Sequence, residues 1–172
     1  MESGLGYIAT YSVSQASRAA YDAALEDLAD CPGLILDMRL NGGGGHSGVE
    51  ALHRKRGSWS KPVAVLMGPK TMSQGETEIW SIREMRDQRM CNARLFGQTT
   101  AGSSGRKAQF ELPSGFASGQ FVIDHWNNGS QTIEGQGIEP DEVVLQDIVE
   151  LSRGIDSCRR AAEAWLRGQA GG

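Results

Sequence analysis

Several things are scarce in this chain, and each scarcity closes a class of function. Aromatic residues make up 6% of its 172 positions against 23 glycines, so loops are many and tight. Cysteine occurs only as Cys31, Cys91 and Cys158. That odd number, spread widely and with no C-x-x-C pair, indicates neither a zinc knuckle nor a disulfide framework. Positive charge is sparse and scattered, 17 Lys and Arg against 21 Asp and Glu for a net charge of −4. No basic stripe marks a nucleic-acid surface, and the densest cationic run, His53 to Arg56, is short enough for a solvated loop or helix end. No apolar run approaches the ~20 residues that span a membrane. Residues Met1 to Gly6 hold neither the basic segment nor the apolar core of an export signal. Nucleic acid and membrane are therefore not expected as partners, and no cofactor-binding or metal-ligating pattern is present.

What the chain has is glycine, 23 residues of it, and enough length for one domain with a sizeable core. Gly6 to Tyr11 reads as a strand almost at residue one, which favours a chain that starts inside a longer protein. Ser14 to Ala29 carries Ala20, Ala24, Leu25 and Leu28 at helical spacing. Gly33 to Met38 and Pro62 to Met67 are apolar enough for buried strands. A short helix is expected over His46 to Arg56, a longer one over Thr77 to Gln88, and a strand over Ala93 to Phe96. Lys107 to Leu112 and Gly119 to Asp124 form a hairpin turned at Pro113-Ser-Gly115, and Asn127-Asn-Gly129 is a second turn. Glu142 to Leu145 is a short strand, and Ile148 to Leu166 is helical with a break at Gly154. Strands alternating with helices over the first hundred residues predict an α/β fold with a largely parallel sheet. The expected organisation is a core over residues 1–147, followed by a C-terminal helix and frayed tail over 148–172.

Two segments stand out chemically. Arg39-Leu-Asn-Gly-Gly-Gly-Gly45 closes a buried strand on which Asp37 and Arg39 share one face and can pair. Its glycines let backbone N–H groups turn into a cleft at the strand's C-terminal end; a surface loop is the plainer alternative. Walker-type and G-x-G-x-x-G patterns are absent, so nucleotide binding is not expected. The second segment is the strand Lys61 to Met67, which runs through Gly68-Pro-Lys-Thr-Met into Ser73-Gln-Gly-Glu76. S-x-x-E is a capping box, with Ser73 bonding a first-turn N–H and Glu76 reaching back. The same corner can also expose a serine hydroxyl beside unpaired helix N–H groups, where positive potential stabilises an oxyanion. His46 could approach Ser73 across the cleft, whereas His53 and His125 are more simply surface residues. Lys70 and Lys107 are the lysines nearest these motifs, and either would need desolvation to act as a base. Glu134 reads by itself as a turn residue.

Taken in order, four segments make the chain resemble the C-terminal processing and tricorn-type serine peptidases. These are D-x-R-x-N-x-G-G at Asp37 to Gly44, K-P-V-x-V-L followed by S-x-x-E at Lys61 to Glu76, G-x-x-T-x-G at Gly97 to Gly102, and E-x-x-G-I-x-P-D at Glu134 to Asp141. The resemblance covers residues 6 to about 145. It implies a crotonase/ClpP-like stack of β-β-α units around a twisted, largely parallel sheet. It also implies Ser73 as an acylating nucleophile, the N–H groups of Gln74 and Gly43 as an oxyanion hole, and Glu134 as the glutamate that helps to place the base. The implied partner is a peptide or unfolded protein, no cofactor is called for, and homo-oligomerisation stays open. Processing peptidases carry a lysine directly after T-x-G, where this chain has Ser103; the tricorn branch uses an upstream histidine. With no base secured, weak activity or none is expected. The alternative is a relative that binds peptides or apolar ligands without cutting, and a third reading is an acyl-CoA enzyme of the wider fold.

Overall fold

The computed structural model describes residues 4–44, 61–124 and 132–169. Five strands form one sheet in the order β1 (Gly6–Ala9), β2 (Leu34–Asp37), β3 (Val63–Met67), β4 (Ala93–Gly97) and β7 (Glu142–Val143). Every neighbouring pair in it is parallel. Helix α1 (Gln15–Asp27) lies between β1 and β2 in sequence, and α2 (Gln74–Asp87) lies between β3 and β4. The short α3 (Ile148–Ser152) and the longer α4 (Ser157–Gln169) follow β7. The remaining strands, β5 (Arg106–Glu111) and β6 (Ser118–Asp124), pair antiparallel as a separate two-stranded sheet. The result is a mixed α/β fold with a mostly parallel sheet, in agreement with the fold class read from the sequence.

The apolar strand runs work because each sheet face is covered. Leu34, Leu36, Val63, Val65, Met67, Ala93 and Leu95 join Tyr21 and Leu25 of α1 and Ile79, Trp80, Ile82 and Met85 of α2 in one buried cluster. The alternate residues Ile35, Ala64, Leu66 and Phe96 join Cys158, Ala162 and Leu166 of α4 in a second. A strand buried on both faces has no need of polar alternation, which is why β3, Val63–Met67, is apolar and buried throughout. Truncating a fully buried member such as Leu66 or Ile82 would cost about 2–5 kcal/mol.

Most expected elements are found within a few residues of their predicted ends. Glu142–Val143 is shorter than the strand expected there, and the C-terminal helix is broken around Gly154 (φ 74°) as anticipated. The hairpin turns at Gly115 (φ 67°) and leaves Phe110, Phe116 and Phe121 exposed. The helix expected over His46 to Arg56 and the turn at Asn127 to Gly129 lie outside the described residues. Among the described residues no helix is long and apolar enough to cross a membrane, and no group of His, Cys, Asp or Glu is placed to hold a metal ion.

Candidate active site

At the C-terminal ends of β2, β3 and β4, three loops are laced together around Ser73. The turn after β3 closes on itself through the Thr71 N–H to the Gly68 carbonyl at 2.9 Å and the Gly68 N–H to Thr71 Oγ1 at 3.2 Å. Thr71 is buried and donates its hydroxyl to the Met38 carbonyl at 2.8 Å. The Met72 N–H reaches the Asn41 carbonyl at 3.0 Å, which ties the turn to the loop after β2. On the other side, the Ala101 N–H bonds the Thr71 carbonyl at 2.9 Å and the Ser73 N–H bonds the Ser103 carbonyl at 2.8 Å, which ties it to the loop after β4.

Held this way, Ser73 adopts φ 56° and ψ −128°, a left-handed backbone for a residue with a side chain. Such geometry costs about 1–3 kcal/mol and persists only where the surroundings over-determine it. The Ser73–Glu76 pair keeps its capping-box arrangement, yet no side-chain hydrogen bond from Ser73 caps α2. Its carbonyl instead receives the Glu76 N–H at 2.9 Å. The predicted capping-box arrangement is therefore kept on a strained elbow, with Glu76 reaching back to the Ser73 N–H at 3.1 Å. No lysine, histidine or carboxylate among the described residues hydrogen-bonds Ser73 Oγ.

Gly43 packs directly on this elbow. It has φ 85°, and a Cβ added to it would lie 2.5 Å from Ser73 Cβ and 3.0 Å from the Gln74 nitrogen. Its N–H points at Asn41 Oδ1, 2.9 Å away. Asn41 is fully buried and donates Nδ2 to Thr10 Oγ1 at 3.0 Å. Gln74, as the first residue of α2, has an N–H without an intrahelical acceptor. Gly43 and Gln74 are thus adjacent at Ser73, with the Gly43 donor engaged by Asn41.

Glu134 is half-buried and grips the loop after β4 from the far side, with Oε2 accepting the Ser104 N–H at 2.8 Å and the Gly105 N–H at 2.7 Å. The rest of its motif is structural. The Asp141 carboxylate accepts the Leu95 N–H at 2.8 Å and Arg86 Nη1 at 2.5 Å, which locks β4 to the end of α2. Asp37 and Arg39 pair at 2.6 Å, as their shared face predicts, and Arg39 also holds Asp156 at 2.7 Å, just ahead of α4. Burial alone would raise the Asp37 carboxyl, but hydrogen bonds from Arg39 and Tyr7 outweigh it and leave it below the usual carboxylate range. Lys70 and Lys107 are exposed, the latter on β5, and His46, His53 and His125 lie outside the described residues.

Residues whose importance the sequence did not signal are Asn41, Thr71 and Thr100. Each is a buried polar side chain bonded across two loops. Only their place inside the motifs hinted at them, because small polar residues in loops are otherwise unremarked.

A parallel-sheet α/β fold with a strained serine at a strand-to-helix corner, flanked by a glycine loop and an unpaired helix N–H, defines the class. Peptidase family S41 matches over residues 4–54 and 46–144, and the chain belongs to that family. No curated protein matches it. Among solved structures, a protein from Parabacteroides merdae ATCC 43184 is similar at a TM-score of 0.78 and 22% identity, over 96% of this chain and 62% of that one. The photosystem II D1 C-terminal processing protease is similar at 0.63 and 20%, over 90% of this chain and 47% of its own length. The tricorn protease gives 0.71 and 16%, over 96% and 18%. The chain therefore spans less than two thirds of each of these proteins, and at such identities the likeness is one of fold.

Proposed function

We propose that this chain is a serine peptidase core that cleaves peptides through an acyl-enzyme, with Ser73 as nucleophile. The observation that carries the reading is the strained Ser73 backbone (φ 56°, ψ −128°) directly beside Gly43 and the Gln74 N–H. Helix capping by itself does not call for that conformation. Ser73 Oγ attacks the scissile carbonyl carbon and its proton passes to a base. The carbonyl oxygen becomes an oxyanion that accepts the Gln74 and Gly43 N–H groups, and collapse expels the amine, which takes up the proton. Water then hydrolyses the ester by the same path. An oxyanion is a stronger acceptor than the amide oxygen of Asn41, so the Gly43 N–H turns to it as charge develops. Glu134 helps to place the base, with one carboxylate oxygen anchored on Ser104 and Gly105. The substrate is an extended peptide or unfolded protein segment lying beside a strand.

The test is labelling by a fluorophosphonate probe, with Ser73→Ala as control. Adduct on the wild type alone supports the nucleophile, and equal labelling of both proteins removes Ser73 from the mechanism. A second reading, a peptide-binding relative that does not cut, is favoured by Ser103 in place of a lysine. It predicts no label but saturable binding of an unfolded peptide.

A further inference from the structure

The capping glutamate has more partners than a helix cap requires. Glu76 is fully buried, and its carboxylate receives four protein donors. Oε1 takes the Thr100 hydroxyl at 2.6 Å and the Gly102 N–H at 2.7 Å. Oε2 takes the Ser73 N–H at 3.1 Å and the Ser103 N–H at 2.9 Å. Because the next two N–H groups go to Glu134, two carboxylates hold the consecutive N–H groups of residues 102–105. The Ser73 N–H is shared between Glu76 and the Ser103 carbonyl, so the loop and the elbow share one anchor. A buried carboxylate is costly unless its lone pairs are filled, and here donors from the nucleophile and from the loop fill them. Thr100 extends the anchor to the closing motif, with its Oγ1 receiving the Ile138 N–H at 2.8 Å.

We infer that Glu76 is a positioning residue for the peptidase reaction: its carboxylate holds Ser73 in the strained conformation and locks it in register with the loop after β4. This role rests on the reading of Ser73 as nucleophile. The two oxygens divide the work, so Glu76→Gln is the informative variant. A single amide oxygen can keep either the Thr100 and Gly102 donors or the Ser73 and Ser103 donors, while the amide NH2 faces the other pair and repels it. The nucleophile then drifts from its attack position, and displacements of an ångström lower rates by as much as about 100-fold.

The experiment compares wild type, Glu76→Gln, Glu76→Asp and Ile82→Ala, a core truncation in α2 that serves as a control for lost stability. Each is followed by fluorophosphonate labelling rate, thermal midpoint and amide hydrogen exchange at Ser73, Gly102 and Ser103. Glu76→Gln is expected to label about 10- to 100-fold more slowly and to lose protection at those amides first. Ile82→Ala should label at the wild-type rate wherever it remains folded. Glu76→Asp, whose shorter side chain cannot span both loops, should resemble Glu76→Gln and serves if that variant does not fold. Wild-type labelling rates in folded Glu76 variants, or equal slowing in Ile82→Ala, overturn the role and leave the nucleophile standing. A wild type that takes no label removes the nucleophile, and this role with it.

Discussion

Gly43 lies against Ser73 so closely that a Cβ on the glycine would sit 2.5 Å from the Ser73 Cβ. The glycine loop and the serine elbow are therefore one packed unit, although 30 residues of sequence separate them and neither signals the other locally.

Gly43→Ala tests that contact. The added methyl meets Ser73, and φ 85° is unfavourable for alanine, so the elbow must shift. We expect a fold that survives with a loss of about 1–3 kcal/mol and fluorophosphonate labelling reduced by about 100-fold or more. Urea unfolding and labelling kinetics on one preparation check both halves.

Tyr21 supplies a prediction of the opposite sign. Its hydroxyl is buried without a hydrogen-bond partner among the described residues, and burial, reinforced by the Glu78 and Asp22 charges, disfavours its ionised form. Tyr21→Phe keeps the ring and removes the orphaned group, so stability should be unchanged or rise by about 1 kcal/mol. A fall of that size in the urea midpoint analysis would show that the hydroxyl has a partner.

The Asp37–Arg39–Asp156 cluster sets two pH limits. Asp37 and Asp156 are both held below their ordinary value of 3.8, because bonds to Arg39 outweigh burial. Their contribution is complete above that value and is lost as pH falls through the lowered folded values. Tyr7, which donates to Asp37 at 2.6 Å, is pushed up from 10.0 to about 12 by burial and by the Asp37 carboxylate. Its contribution is complete below pH 10 and is lost as pH rises toward 12. Arg39→Met should therefore lower the urea midpoint by a constant amount between pH 5 and pH 9, and the gap should narrow below about pH 4.

Cys158 should be silent in the native protein. It is buried on α4 against Phe96 and Leu66, and burial pushes its thiol up to about 11. At pH 8 the thiolate is scarce and enclosed, so Ellman's reagent should modify Cys158 only at the rate of global unfolding. Rapid native modification, mapped by mass spectrometry, would contradict the packing of α4.

Much of the fold was legible because its strands are buried on both faces and its turns carry glycine or proline. Val63–Met67 and Leu34–Asp37 could hardly be anything but central strands. The site was legible as motifs, since Asp37 to Gly44 and Ser73 to Glu76 each place glycines or hydroxyls where a backbone must approach closely. The conformation of those residues was not legible. S-x-x-E read as a cap, and a cap predicts an extended serine with a bonded hydroxyl. The positive φ of Ser73 is imposed by hydrogen bonds that the Ser73 and Met72 N–H groups donate to the Ser103 and Asn41 carbonyls, and those acceptors lie in loops about 30 residues away in both directions. Lys70 and Lys107 were nearest to the motifs in sequence, but exposure at a turn and on a hairpin is a property of the folded surface.

By itself the sequence determined the parallel α/β architecture, because hydrophobic period acts locally, and its four ordered motifs carried the resemblance to the family. Only the tertiary structure decided that Glu76 binds the loop after β4 as well as capping one helix, that the Gly43 N–H rests on Asn41, and that Ser73 is strained. Each depends on donors and acceptors brought together by sheet order. Hydrogen bonds between loops 30 residues apart leave no periodicity in the chain that makes them.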